Sequence, residues 1–540
     1  MKNILVIGSG ISGLTCAIKC AEQGCHVILV SPYPSERSQS VMAAGGINAA
    51  LDTKGENDSI DCHIEDTMRG GCDIASRTAV EGLCRRAPQV ITWLESLGTV
   101  FTRDDKQRID LRSFGGQSHR RTAYAGASTG KQIVTALVHK SREYECKGLI
   151  ERRLGLHFYS ALIKEDVCYG ALFYSEQKHL IEAVYADDVV VAAGGQNGLF
   201  GKTTGSALCD GYVAGELFRQ GVKLKNLEFI QYHPTTIETP QKRMLITEGA
   251  RGEGGRLYYL DGGKRVYFME DKFGERGNLM PRDIVSKCIY DAPSQVYLDI
   301  AFLSKETIQK KLSEVDSLCR NYAGIDVTRE SIPVYPSVHF FMGGLAVDNN
   351  HRTNIYHLYA IGECASIYHG ANRLGGNSLL AAIHGGMTAA ESISGEEDLN
   401  HTPDFDSYIH AHEDLIRKRF DSKSRFSAVF VKQDVAKTLN DALGITRTGD
   451  KLKSGIDSMD YYLSISDKFN FDCDISPYQG YSLKGMTTLA RAILTCAEAR
   501  KETRGAHIRE DYPERSDEYC CATTISYNGG KFETEFIKEN

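Results

Sequence analysis

The sequence predicts an α/β protein: a Rossmann-like nucleotide-binding domain interrupted by an inserted α+β unit and followed by a helical region. Three observations carry this. A glycine fingerprint lies within ten residues of the start, between an apolar strand and an apolar-periodic stretch. Two further apolar runs that end in glycine, Asp188–Gly195 and His357–Glu363, lie far downstream of it. From about residue 403 the pattern turns helical and charged.

The elements follow in order. Ile4-Leu5-Val6-Ile7 is a short buried strand, and Gly8-Ser9-Gly10-Ile11-Ser12-Gly13 is the turn after it. Ile11, Leu14, Ile18 and Ala21 recur at helical spacing, and His26–Val30 is the next strand. A strand, a GxGxxG turn and a helix in that order bring helix N–H groups up to a pyrophosphate. The acidic residue that usually ends the second strand and binds a ribose is replaced by Ser31, so ribose recognition must come from elsewhere. Gly362-Glu363, closing its strand, offers a carboxylate for a cofactor hydroxyl. The strands of one domain are therefore split by an insert. The expected division is 1–224 and 341–402 for the nucleotide domain, 225–340 for the insert, 403–512 for the helical region and 513–540 for a tail. Tyr408–Phe420 and Lys484–Lys501 read as helices, and Asn528-Gly529-Gly530 between two alternating runs reads as a hairpin.

Bulk properties set limits. With 540 residues the chain exceeds one simple core, and 52 glycines suit close backbone approach to a large cofactor. The net charge of −7 gives no support for nucleic-acid binding, and an anionic substrate would need a local positive pocket. No apolar run approaches the ~18 residues of a membrane span, and the first residues lack the features of a signal peptide. Sixteen cysteines without CxxC, CxxCH or a ferredoxin run are read as reduced thiols of a cytoplasmic protein, with no metal site.

Polar groups concentrate in a few segments. In His369-Gly370-Ala371-Asn372-Arg373-Leu374-Gly375-Gly376-Asn377-Ser378-Leu379-Leu380 a glycine-rich turn carries Arg373, suited to a carboxylate, and opens into a helix whose first N–H groups are free at Asn377, Ser378 and Leu379. Glu228–Thr235 contains His233; Leu245–Gly255 contains Thr247, Glu248 and Arg251; Pro281-Arg282-Asp283 and Pro336–Gly344, with His339, complete the set. Together they offer donors for a dicarboxylate with a relay acid beside them. Each has a purely structural alternative: His233 as a satisfied core histidine, Arg282-Asp283 as a helix-start ion pair, Glu248 as a cap or a partner of Arg251.

With those motifs the chain resembles the flavoprotein subunit of succinate dehydrogenase and fumarate reductase, in the superfamily that also contains L-aspartate oxidase. The likeness runs from residue 1 to about 400 and resumes at Glu502–Pro513. It implies an FAD-binding domain, an inserted capping domain that covers the substrate, and a C-terminal helical domain. It implies hydride transfer between flavin N5 and a four-carbon dicarboxylate (fumarate or succinate). His233, Thr247, His339 and Arg373 would bind the carboxylates and Phe114 would face the substrate. Arg282 would move the proton, fed through Glu248 and Arg251. Gly8, Gly10, Ser12, Gly13, Ser31, Ser38, Gly45, Gly46, Ala193, Gly194, Asp210, Glu363, Asn377, Ser378 and Leu379 would hold FAD. A separate iron–sulfur subunit would carry electrons, possible membrane association coming only through partner subunits.

Two departures sharpen the expectation. In the membrane-bound enzymes a histidine in Arg-Ser-His-Thr-Val carries the flavin covalently; here Arg37-Ser38-Gln39-Ser40-Val41 has Gln39, whose amide is no nucleophile. Dissociable FAD is expected, with fumarate reduction as the favoured direction. L-aspartate oxidase has a glutamate before a Gly-Gly pair, where it can face the substrate amine; here Phe114 precedes Gly115-Gly116 and suits an uncharged alkene or methylene. Ser118-His119-Arg120-Arg121 is nearer the oxidase, which keeps aspartate oxidation as one alternative; a non-catalytic FAD-binding subunit is the other.

Overall fold

The strands of the nucleotide domain form one parallel sheet in the order Leu358–Ala360, Asp188–Val191, Asn3–Ile7, His26–Ser31, Ile150–Leu154. The computed structural model describes every residue except 127, 241, 398, 400, 421–426, 467–476 and 540. Ile4, Leu5 and Val6 are fully buried, as are Val189, Val190 and Val191: the helices Ile11–Glu22, Thr129–Cys146 and Asn377–Ser394 pack together over the sheet, and the antiparallel strand Val167–Ser175 packs against Asp188–Val191. Two downstream strands are shorter than the apolar runs suggest. The first ends at Val191, before Ala192–Gly195 turns away. The second spans only Leu358–Ala360, since His357 adopts φ 61° before it and Gly362 φ 72° after it. Glu363 therefore stands on a short turn beyond the carboxyl end of the sheet, where doubly wound folds bind ligands.

The insert divides in two. Its inner strands, Ile230–Glu238 and Tyr335–Phe341, pair antiparallel, and Ile230, Val338 and Phe341 belong to the main core. Its outer part has a core of its own, from Ile237 to Val334, built on a four-stranded sheet and the helices around it. The inserted segment thus forms a cap with an independent apolar interior, joined to the body by two adjacent strands.

Beyond the cap, helices Asp406–Phe420, Ala428–Ala442, Gly449–Ser464 and Pro477–Ala499 form the helical region. The last starts seven residues before the apolar pattern indicates, with proline at its first position, where a missing N–H is harmless. It packs tightly on Tyr212–Arg219: a Cβ at Gly215 would lie 2.1 Å from the Gly485 carbonyl oxygen. The hairpin Ala522–Asn528 with Lys531–Ile537 turns through Gly529 and Gly530, and its first strand adds to Leu224–Lys225 of the main body. No helix among the described residues is long and apolar enough to cross a membrane.

A buried ionic network ties the C-terminal segment to the start of the inner strands. Arg500 pairs with Glu228 at 2.7 Å and with Glu502 at 2.8 Å, Glu502 also holds Arg504 at 2.7 Å, and Arg500, Glu228 and Glu502 are fully buried. Removing one member of such a set leaves an uncompensated buried charge. Glu502→Gln should destabilise the chain by about 3–5 kcal/mol, read as a lower urea midpoint.

Candidate active site

A cavity of about 570 Å³ opens at the carboxyl ends of the parallel strands and continues under the cap. Of the residues expected to hold the cofactor, Gly8, Gly10, Ser12, Ser31, Ser38, Gly45, Gly46, Ala193, Gly194, Asp210, Glu363, Ser378 and Leu379 line it. Gly13 and Asn377 do not, and their roles are different ones. A Cβ at Gly13 would lie 1.9 Å from the Gly8 carbonyl oxygen, so Gly13 lets the helix Ile11–Glu22 sit on the strand. Asn377 is fully buried with its side chain engaged: its Oδ1 accepts from Asn48 at 2.7 Å and contacts His63 Nε2 at 3.0 Å, and its Nδ2 donates to Thr67 at 3.0 Å. It anchors the helix start; Ser378 and Leu379 present the first turn to the cavity.

The wall fits a dinucleotide. Gly8, at φ 113°, would place a Cβ 2.2 Å from the Ala192 carbonyl oxygen, so only glycine permits the turn. At the start of the helix after Gly10 the Ile11 N–H donates to Ser40 Oγ at 3.2 Å, and the N–H groups that follow in the first turn face the anion position. Ser31 is held in a hydroxyl chain, accepting from Ser9 at 2.9 Å and donating to the Tyr33 carbonyl at 2.7 Å. Ser38 Oγ is buried without a partner. Glu363 is the carboxylate facing the cavity. Burial pushes it up to about 7, against the Phe341 N–H and the charge of Arg373. Burial also raises Asp210, whose two oxygens accept from the Tyr478 hydroxyl at 2.9 Å, while Lys432 pulls it back.

At the cap end, five segments distant in sequence converge. Gln231 and His233 come from one inner strand and His339 from its partner; Thr247 and Glu248 come from the loop before the short helix Gly249–Gly252; Arg282 opens the helix Arg282–Tyr290; Arg373 comes from the turn before Asn377. His233, Thr247, Glu248, Arg282, His339, Arg373 and Phe114 all line the cavity. Arg251 does not: it is buried behind Glu248, donating to the Asn278 carbonyl at 2.5 Å. The Phe114 ring packs on Gly45 and Gly375 and is 2% exposed.

Glu248 organises the charge. Its Oε2 accepts from Arg282 Nη2 at 2.7 Å and Nε at 2.9 Å; its Oε1 accepts from the Gly115 N–H at 2.9 Å and from Arg251 at 3.3 Å. Burial alone would raise this carboxyl, but the charges of Arg282 and Arg251 with those hydrogen bonds bring it down to about 2. Of the structural alternatives, the Glu248–Arg251 pair is present, while the Glu248 helix cap and the Arg282–Asp283 ion pair are not. Arg282 pairs across the cap with Glu248, and Asp283 instead accepts from Asn372 at 2.8 Å. The rings of His233 and His339 meet edge to face at 5.2 Å, and burial together with the neighbouring arginines drives both well below the usual imidazole range, so both are neutral. Thr204 Oγ1 lies 2.8 Å from His339 Nδ1 and the Thr235 N–H donates to His233 Nδ1 at 3.3 Å, which fixes both rings.

Sequence reasoning left out Thr204, Gln231 and Asn372. Gln231 and Asn372 lie inside segments that stood out for other residues, but an uncharged amide carries no signal until its partners are in place. Gln39 also lines the cavity, its Oε1 accepting from the Ser206 N–H. One trio with metal-ligand spacing, Asp58, Cys62 and His119, occurs among the described residues, but both Asp58 oxygens are taken by Arg121, at 2.8 and 3.1 Å.

Because the Glu248 carboxyl is depressed in the fold, its contribution is full above the ordinary carboxyl pKa and is lost as pH falls through about 2. Wild-type protein should exceed Glu248→Gln in stability by on the order of 3 kcal/mol at pH 7. That gap should narrow steadily below pH 4.5 in parallel melts.

Residues 3–379 match the family model described as FAD binding domain, and residues 432–538 match the one described as fumarate reductase flavoprotein C-term. The succinate dehydrogenase flavoprotein subunit of Bacillus subtilis is 36% identical, covering 98% of this chain and 95% of that one. An L-aspartate oxidase of Yersinia pestis is 32% identical, covering 95% and 97%. A solved quinol-fumarate reductase with menaquinol molecules superposes with a TM-score of 0.91 at 27% identity, covering 100% of this chain and 98% of that one. A cavity suited to FAD, beside a cap-covered cluster of arginines and histidines, is thus met by near full-length likeness, and the chain belongs to the family of succinate dehydrogenase and fumarate reductase flavoprotein subunits.

Proposed function

We propose that this FAD-dependent oxidoreductase interconverts fumarate and succinate, working chiefly as a fumarate reductase. The observation that carries this reading is the line Arg251–Glu248–Arg282, which ends in a cavity walled by His233, Thr247, His339 and Arg373. One substrate carboxylate takes hydrogen bonds from Arg373, whose Nε has no partner among the described residues. The other lies against Thr247 and the neutral histidines. Bound reduced flavin supplies a hydride to one alkene carbon. The adjacent carbon gains carbanion character, a base strong enough to take a proton from the Arg282 guanidinium, and succinate results. The ionised Glu248 then takes a proton from the Arg251 side and passes it to Arg282, so the carboxylate ends as it began. Burial and the charge of Arg282 both lower Arg373, so the cluster favours an incoming dianion. Excluding water under the cap strengthens each of these interactions.

Phe114 at the cavity wall disfavours aspartate oxidation, because a phenyl ring offers no anion to a substrate ammonium. A subunit that binds FAD without turnover would have no use for a guanidinium tied to a buried carboxylate. We further infer that FAD is held without a covalent bond, since the Gln39 amide oxygen is engaged by the Ser206 N–H and its nitrogen is not nucleophilic. Electrons would enter from a separate iron–sulfur subunit in the cytoplasm.

Purified protein should reduce fumarate with a reduced viologen dye and show no oxygen uptake with L-aspartate; the reverse pattern sinks the assignment. Arg282→Met should lower kcat by about 10³-fold or more, with a smaller change in KM. Acid precipitation should release all the yellow colour into the supernatant; colour retained in the pellet contradicts dissociable FAD.

A further inference from the structure

Arg282 and Arg373 repel one another, yet both approach one point of the cavity. What stands between them is neutral. Gln231, fully buried, accepts through Oε1 from Arg282 Nη1 at 3.0 Å and from Arg373 Nη2 at 3.0 Å. Its Nε2 donates to Asn372 Oδ1 at 2.7 Å and to the Arg373 carbonyl at 2.8 Å. Asn372 in turn donates through Nδ2 to Asp283 at 2.8 Å.

Only one orientation of each amide satisfies these contacts. The two guanidinium groups can only donate, so Gln231 must turn its oxygen toward them and its NH2 toward Asn372 and the Arg373 carbonyl. Asn372 then accepts from Gln231 through its oxygen and gives its NH2 to Asp283, which holds the amide chain from its far end. A carboxylate at position 231 would bind both guanidinium groups but cancel the charge that attracts a dianion. An apolar side chain there would leave two buried N–H groups without acceptors and let the arginines move apart.

We propose that Gln231, braced by Asn372 and through it by Asp283, is the positioning residue that fixes the distance between the proton donor Arg282 and the carboxylate clamp Arg373. This rests on the fumarate–succinate reading. Arg282 commits Nε and Nη2 to Glu248 and Nη1 to Gln231, so every nitrogen of its guanidinium is held. Arg373 Nε is buried without a partner among the described residues.

The test compares full-length, FAD-loaded wild type with Gln231→Met, Gln231→Glu and Asp283→Asn. Fumarate reduction is read with a reduced viologen dye in H2O and D2O, and malonate binding by the change in flavin absorbance. Gln231→Met should lower kcat by about 10²-fold with a larger solvent isotope effect, because a loosened donor makes proton transfer slower. Gln231→Glu should keep more of kcat but weaken malonate by about 30-fold or more, because the added anion opposes the ligand. Asp283→Asn, away from the ligand, should show the Gln231→Met pattern at about a tenth of its size. FAD content and melting temperature serve as controls. If Gln231→Met stays within threefold of wild type in kcat and isotope effect, or if all variants lose kcat and malonate affinity in one fixed proportion, positioning is wrong and the fumarate reading stands. If wild type neither binds malonate nor turns over fumarate or succinate, both fall.

Discussion

The site depends on one buried carboxylate among arginines. Without Glu248, Arg282 and Arg251 would face each other in a dry interior with nothing to balance them. Ion pairs in such surroundings offset the loss of hydration only when every remaining polar atom is also met. Here the Gly115 N–H completes the Glu248 oxygens, the Gln231 amide completes Arg282, and the Asn278 carbonyl takes one Nη of Arg251, whose Nε alone is left without a partner among the described residues. The same constraint explains the neutral histidines. A pocket already holding buried guanidinium groups cannot also bear imidazolium, so His233 and His339 act as polar, uncharged walls.

The architecture divides the cluster between two cores. Thr247, Glu248, Arg251 and Arg282 are carried by segments whose apolar neighbours, Ile246, Ala250 and Val285, belong to the cap's own interior. Gln231, His233 and His339 sit on strands whose neighbours Ile230 and Val338 pack into the main core. The Glu248–Gly115 and Arg282–Gln231 hydrogen bonds cross from cap to body, so the polar cluster itself clasps the two. The C-terminal segment braces the body side: the Ala506 N–H donates to the Ala371 carbonyl at 3.0 Å, two residues before Arg373, and Arg500 holds Glu228 just ahead of the strand that carries Gln231.

Much of this was legible in the chain. The first strand, turn and helix could be read because an apolar run, a GxGxxG turn and helical spacing are local signals, and the split sheet followed from apolar runs far from one another. The hairpin at Asn528-Gly529-Gly530 is local in the same sense. The extents were less legible. Residues 189–193 and 358–361 are apolar throughout, but only the path of the backbone decides where pairing stops. Asn377 shows the same limit: its place at a helix start was readable, while its side chain turned out to face His63 and Asn48 and not the cavity.

By itself the sequence determined the dinucleotide turn, the inserted unit, the supply of arginines, histidines and a glutamate, and the replacement of a histidine by Gln39. Tertiary structure alone decided who pairs with whom. Arg282 could have bonded the adjacent Asp283, and Glu248 could have capped its own helix. The fold sends Arg282 to Glu248 and Gln231 and gives Asp283 to Asn372. The reason is that charge and hydrogen-bond partners are chosen by distance in space and by burial, which makes every unmet polar atom unfavourable, and neither quantity is written in the order of residues along the chain.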